Sequence, residues 1–260
     1  MNEEIKFATH VLCFGQDKWI ERNIKNAYPH VDKIYLSYSE LPWSYNKESK
    51  ELFRTETNLD FLEPYMDKVE LISGEWDTEE EQRNACSSKA KEDGIDFLFI
   101  QDADEFYFHD GFEEMKRSIV KNPSYDTYRC PCYTFWKDVN ILTSSEGNFV
   151  TGYLYACINL KTNSEFVNKR ATKIGRVFDI HSTICYHMSN VLSDEEMYRK
   201  VKTWAHHHDF DVDRWYENVW MKWTPEMKNL HPVQPHGWRE AVPFVEELPE
   251  VISDLGVYKK

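Results

Sequence analysis

Apolar and polar positions alternate in two rhythms along the first part of the chain. Lys6 to Phe14 carries an apolar run ending in VLCF and predicts an opening strand. Gly15 punctuates it, and Asp17 is the expected cap of a helix reaching about Tyr28, because Ile20, Ile24 and Ala27 share one face at helical spacing. Pro29 agrees with that end. Val31 to Tyr38 predicts a second strand, with Ile34, Leu36 and Tyr38 on one face and Tyr35 and Ser37 on the other. Residues 40 to 60 hold no stable period and predict a crossing loop or short helix. Val69 to Ile72 adds a strand. Thr78 and Glu81 form a capping box for a helix through Lys91, with Gln82, Cys86 and Ala90 inward. Gly94 stops that helix, and Ile95 to Ile100 is the strongest buried-strand run in the sequence. Strands alternating with helices predict a layered α/β fold.

The later pattern changes. Asp110 and Glu113 are expected to cap a helix that buries Phe112, Met115 and Ile119. The segments TYRCPCYTFWKDVNIL and NFVTGYLYACINL, rich in aromatic and β-branched residues, predict further strands and a platform for an acceptor, with Gly147 in the turn between them. Ser193 and Glu196 make another capping box, ahead of a face formed by Met197, Val201, Trp204 and His208. Pro225, Pro232, Pro235, Pro243 and Pro249 break the last stretch into a wrapping tail, and Leu230, Val233, Trp238, Val242, Phe244 and Leu248 would pack it back onto the body.

A hydrophobic fraction of 41% with 15% aromatics excludes global disorder. The formal charge of -14 argues against general nucleic-acid affinity, though not against a small basic pocket or a selective nucleic-acid acceptor. The start MNEEIKFATH has no secretory pattern, and no stretch approaches the roughly 20 apolar residues needed to span a bilayer. The six cysteines read as reduced packing residues, Cys130 and Cys132 included, and a cytoplasmic protein without a transmembrane anchor is expected.

The chemistry concentrates in FLFIQDADEFYF, residues 97 to 108, where a buried strand ends in Asp102, Asp104 and Glu105. Open α/β sheets bind ligands beyond the carboxyl ends of their strands. Asp102 and Asp104, two positions apart, are placed to approach one hard cation, Mn²⁺ or Mg²⁺, which would neutralise a diphosphate leaving group. The plain alternative is a solvated acidic turn. Arg83, on the preceding helix, either pairs with phosphate through its donor fork or with neighbouring glutamates.

Three landmarks, VLCFGQDKWIERNI at 11 to 24, EQRNACSSKAKEDGIDFLFIQDADEF at 81 to 106, and HMSNVLSDEEMYRKVKTW at 187 to 204, resemble glycosyltransferases of the GT-A fold, the broad family-2 group. The resemblance implies a Rossmann-like α/β domain with a mixed sheet that binds a nucleoside diphosphate sugar, with Mn²⁺ or Mg²⁺ at the acidic motif. It makes Asp104 the direct metal ligand, and Asp102 the acid near the ribose and the metal-bound diphosphate. Arg83 and Asn84 fall beside the nucleotide, and His187 is a third metal contact with His181 as its competitor. It also implies one catalytic domain over 1–260: a nucleotide-sugar half over 1–106, an acceptor and catalytic half over 107–224, and a packed extension over 225–260.

An inverting transferase needs a carboxylate to take the acceptor proton. Asp138 in FWKDV, Asp194 at a helix start and Glu105 are the candidates. The usual later ED signature is absent in clean form, with SDEEM its nearest approximation, so a retaining route stays open. Arg199, Lys200 and Lys202 are candidate partners of the leaving phosphate, and Tyr133, Phe135, Trp136, Trp204, Trp215, Trp220, Trp223 and Trp238 candidate walls of an acceptor cleft. The leading expectation is transfer of a hexose or N-acetylhexosamine to an acceptor hydroxyl. A metal-dependent nucleotide or phosphate hydrolase and a non-catalytic carbohydrate-binding protein are the alternatives.

Overall fold

The computed structural model describes residues 4–15, 17–43, 50–173 and 175–256. The expected crossing segment therefore lies partly outside the described residues, at 44–49. Four parallel strands, β1 (Phe7–Cys13), β2 (Lys33–Tyr38), β3 (Val69–Ser73) and β4 (Phe97–Asp102), lie side by side in the order β3-β2-β1-β4. Their alternating side chains divide between two cores, as strands covered on both faces require. Phe7, Val11, Ile34, Leu36 and Phe99 meet helices α1 (Ile20–Ala27) and, further on, His109–Lys121. Ala8, Tyr35, Leu98 and Ile100 meet Cys86 and Ala90 of helix α2 (Glu79–Glu92). Helix His109–Lys121 is α3, and it buries Phe112, Met115 and Ile119.

Three caps depart from expectation, wholly or in part. Asp17 does not cap α1, whose N-cap is Trp19; its carboxylate accepts from the Asn58 amide 3.1 Å away instead. The N-cap of α3 is Phe108, without a side-chain bond, so Asp110 sits inside the first turn, where it still complements the helix dipole. Thr78 caps α2 by accepting from the Glu81 amide, while Glu81 reaches back to Asp77 rather than to Thr78.

Beyond β4 the sheet becomes mixed, with antiparallel and parallel pairs. After the short β5 (Glu105–Phe106) come β6 (Thr127–Trp136), β7 (Asp138–Ser144) and β8 (Gly152–Asn159). A separate hairpin is formed by β9 (Phe166–Asn168) and β10 (Ala171–Thr172), followed by β11 (Val177–Asp179) and β12 (Cys185–Asn190). The strand β8 joins β4 to β6 and β6 pairs with β7, all antiparallel, while β11 and β12 pair with β6 in parallel. Helix α4 (Asp194–Thr203) opens with the full Ser193–Glu196 capping box. It ends at Thr203, so His208 does not continue its buried face of Met197 and Val201.

The last strand, β13 (Glu240–Pro243), pairs antiparallel with β7 and closes the sheet edge. Pro243 at its end is tolerated because an outer strand needs fewer amide donors. Leu230, Phe244, Leu248 and Ile252 are buried against the body. Among the described residues an 11-stranded mixed sheet flanked by helices results, the α/β class expected from the sequence.

Candidate active site

The order β2-β1-β4 places a switch point between β1 and β4, the crevice where open sheets take ligands. Leu12 of β1 is the register partner of Asp102 of β4, and both line a cavity of 390 Å³. The turn after β4 is fixed from α1. Asn23 Nδ2 donates to the carbonyls of Asp102 (2.9 Å) and Glu105 (3.0 Å), and Asn26 bonds both the amide and the carbonyl of Tyr107. These asparagines occupy the buried face of α1 beside Ile20 and Ile24, a polar interruption that was the available signal for them.

Arg83 is 1% exposed and pairs with two acids, the neighbouring Glu79 among them: Nε donates to Glu79 at 2.9 Å and Nη2 to Asp102 Oδ1 at 2.7 Å. The other Asp102 oxygen accepts from Arg170 Nη1 at 3.3 Å. Burial alone would raise the Asp102 carboxyl, but the charges of Arg83 and Arg170 hold it down at about 2. Arg170 also grips Glu105 through both guanidinium nitrogens and donates to the Ile100 carbonyl at 2.7 Å. Glu105 is fully buried in that grip and in a bond from the Asp102 amide, so its carboxylate orients the turn and faces no acceptor.

Asp104 lines the same cavity as this pair of arginines. Its Oδ1 stands 3.3 Å from His187 Nε2, and its Oδ2 accepts from Lys200 Nζ at 3.2 Å. Against the effect of burial, Lys200 and His187 hold the Asp104 carboxyl far below the usual carboxylate range. Burial pulls the His187 imidazole down, yet Asp104 and Cys132 lift it well above its ordinary value. Cys132 is a free, buried cysteine beside His187, and contacts with Cys185 and His187 lower its thiol. His181 lies outside β12 and bonds Tyr153 instead, so the two histidines do not share a strand face.

Arg170 was missed in the sequence, and so was its neighbour Lys169. Both form the tip of the β9–β10 hairpin, where Lys169 takes a positive φ of 52°. Asn84 explains how the hairpin gets there. It does not line the cavity; its side-chain amide donates to the Phe166 carbonyl (3.0 Å) and accepts from the Phe166 amide (2.8 Å), docking β9 on α2. Ser87 reinforces this with a 2.7 Å bond to the Ser164 carbonyl.

Two expected bases are elsewhere. Asp138 is exposed and bonds Asn140, while Asp194 accepts from the indole of Trp220 at 2.8 Å; neither lines the cavity. Lys202 pairs with Asp213, and Arg199 lines a neighbouring cavity. Most of the expected aromatic wall is core: Trp136, Trp215, Trp220 and Trp238 pack on one another, and Tyr133 and Phe135 pack around Tyr186 and Phe244. Trp204 does reach the cavity, opposite Trp43, whose Nε1 donates to Gln82 at 3.0 Å. His206 lines it as well, with Nδ1 2.5 Å from Asp209 and Nε2 3.0 Å from Lys169 Nζ.

The residues do not fit the expected metal. Every oxygen of Asp102 and Asp104 already faces a cationic side chain, and among the described residues no group of three or more His, Cys, Asp or Glu is arranged to hold an ion. A hard divalent cation wants several free oxygens at once.

No family model matches the chain, and no curated protein does. Among solved structures it is similar to S. aureus TarS, at 13% identity and a TM-score of 0.46 over 75% of this chain and 38% of that one. A structure of TarS 1-349 in complex with UDP-GlcNAc matches at 12% identity and a TM-score of 0.47, over 76% of this chain and 66% of that one. A putative nucleotide-diphospho-sugar transferase from Desulfovibrio desulfuricans G20 matches at 10% and 0.41, over 78% and 91%. The chain thus spans well under half of the longer TarS chain, and at these values the likeness carries no argument about chemistry. Among the described residues no helix is long and apolar enough to cross a membrane.

Proposed function

We propose that the chain transfers a sugar from a nucleoside diphosphate sugar to an acceptor hydroxyl. The observation that supports this is the convergence of Arg83, Lys169, Arg170 and Lys200 on one cavity at the β1–β4 switch point. A diphosphate leaving group gains negative charge as its bond to the anomeric carbon breaks, and positive side chains fixed beforehand around a partly dry site stabilise that charge. The carboxylates of Asp102 and Asp104 then accept from hydroxyls of the ribose and the sugar, while Trp43 and Trp204 offer flat apolar faces. The nucleotide-sugar half over 1–106 shares the donor with residues 169 to 206 of the acceptor half, and the described part of the 225–260 extension, 225–256, braces them.

Proton transfer falls to His206. Its Nδ1–H donates to Asp209, which leaves Nε2 as the acceptor of the hydroxyl proton once Lys169 turns to the diphosphate. The acceptor oxygen forms the new bond to the anomeric carbon, the nucleoside diphosphate departs, and the proton stays on His206.

A panel of UDP- and GDP-sugars tests the reading by calorimetry and product analysis. Binding of one donor, weakened about tenfold or more in Lys169→Ala, is the expected result for a lost charge-assisted phosphate contact. No binding of any nucleotide sugar by folded protein would sink it, and release of free sugar with no transfer to any hydroxyl acceptor would make it a hydrolase. His206→Gln should lower turnover about 10²-fold or more with donor affinity unchanged.

A further inference from the structure

The cation at Asp104 belongs to the chain. Lys200 rises from α4, and its ammonium donates to Asp104 Oδ2 (3.2 Å), the Ser189 carbonyl (2.7 Å) and Ser189 Oγ (2.8 Å). Three protons thus meet three acceptors, so the ammonium is held in a fixed place and is not a loose surface charge. The side chain is 22% exposed and lines the cavity, leaving one flank open to a ligand. Across the turn, Arg83 and Arg170 fill the oxygens of Asp102. Each acid that the sequence offered to a metal is therefore matched by a positive side chain.

We propose that Lys200 takes the place of a divalent metal in this site, so that the diphosphate is neutralised by Lys200 with Lys169 and the two arginines. This rests on the transferase reading for the identity of the ligand, but not for the position of the cation. A divalent ion entering beside Asp104 would meet a fixed ammonium and carboxylate oxygens already turned to Lys200 and His187. An ammonium is a compact point charge with three donors, suited to a phosphate oxygen as well as to a carboxylate. On donor binding, Lys200 keeps Asp104 and exchanges a Ser189 bond for a phosphate oxygen.

The test compares Mn²⁺ binding to the metal-stripped parent with Lys200→Met and Lys200→Arg, by calorimetry and by Mn²⁺ electron paramagnetic resonance. Methionine keeps the apolar stem against α4 and removes the charge, and unfolding curves check that both variants fold. Lys200→Met should bind Mn²⁺ about tenfold or more tightly than the parent, because the competing charge is gone, and Lys200→Arg should match the parent. Equal Mn²⁺ affinity in parent and Lys200→Met, whether tight or absent, overturns the proposal. A second arm measures UDP affinity of the parent in chelator and in Mn²⁺. Equal affinities support the proposal, and a tenfold gain from Mn²⁺ overturns it. Should neither UDP nor, in a parallel titration, GDP bind under either condition, the transferase reading fails, while the Mn²⁺ comparison still decides the place of Lys200.

Discussion

The two walls of the cavity are built differently. The acidic wall is the turn after β4, whose backbone is tied down by Asn23, Asn26 and Gln101 from buried positions. The basic wall stands on thinner supports: the tip of a two-stranded hairpin for Lys169 and Arg170, and a helix and the turn after it for Lys200 and His206. The acids thus share one turn, whereas the bases are gathered from separate parts of the chain and held in place by their own bonds. Arg170 is where the walls lock, since it joins the hairpin to Glu105 and Asp102.

Breaking that lock should have the largest effect. Arg170→Ala leaves Glu105 buried without its cationic partner, and losing one member of a buried pair costs about 3–5 kcal/mol. Urea unfolding measures it. The paired replacement Arg170→Met with Glu105→Leu should recover most of the stability but no donor binding, since a well-packed apolar pair replaces a buried ion pair at little cost. If Arg170→Ala unfolds like the parent, the two walls are independent.

The next effect belongs to the acidic wall alone. Asn26→Ala strands the amide and carbonyl of Tyr107 in the core, at a cost of about 1–3 kcal/mol in unfolding free energy. Asn84→Ala probes the basic wall from outside the cavity. It should cost a smaller amount, about 1 kcal/mol, because solvent reaches the docked strand, yet weaken donor binding by loosening the hairpin that carries Lys169 and Arg170. Unchanged donor affinity in Asn84→Ala would mean that the hairpin holds its tip unaided.

The same contrast explains what could be read in the sequence. The parallel strands β1, β2 and β4 are covered on both faces and so appear as apolar runs, and the acids at the end of β4 stand out against that background. Arg83 was legible for the same reason, on a helix bounded by a cap and a glycine. The hairpin was not. Phe166 is buried while Val167 and Asn168 are exposed, too short a pattern to mark a strand, and Arg170 reaches Asp102 from 68 residues away. The metal expectation left out a related point: spacing brings Asp102 and Asp104 together but says nothing of the cations that arrive from elsewhere in the chain. Aromatic content likewise marked the region of Trp136 and Trp220 without saying that these rings face one another. Asp138 and Asp194 looked like bases because they flank apolar segments, and the strand and helix starts they occupy turn them away from the cavity.

The smallest expected effect lies behind the basic wall, in the segment that carries β13. His231 packs on Trp238 at 4.2 Å, and its Nδ1 accepts from the amides of Val233 and Gln234 at 3.0 and 2.9 Å. Burial, helped by the nearby His206, lowers this imidazole to about 4. The fold therefore favours the neutral ring, and the unfolded chain, with an ordinary value near 6.5, binds the proton more readily. The contribution is fully present above about pH 6.5 and is lost as the pH falls toward 4, where the ring must be protonated and its acceptor role ends. Partial exposure reduces the effect to about 1 kcal/mol between pH 7 and 5. His231→Asn keeps an acceptor for the two amides and has no proton to gain, so its stability should change less than the parent's over that interval. Thermal unfolding of both proteins at the two pH values measures the difference, and equal slopes would mean that other groups carry the acid response of this wall.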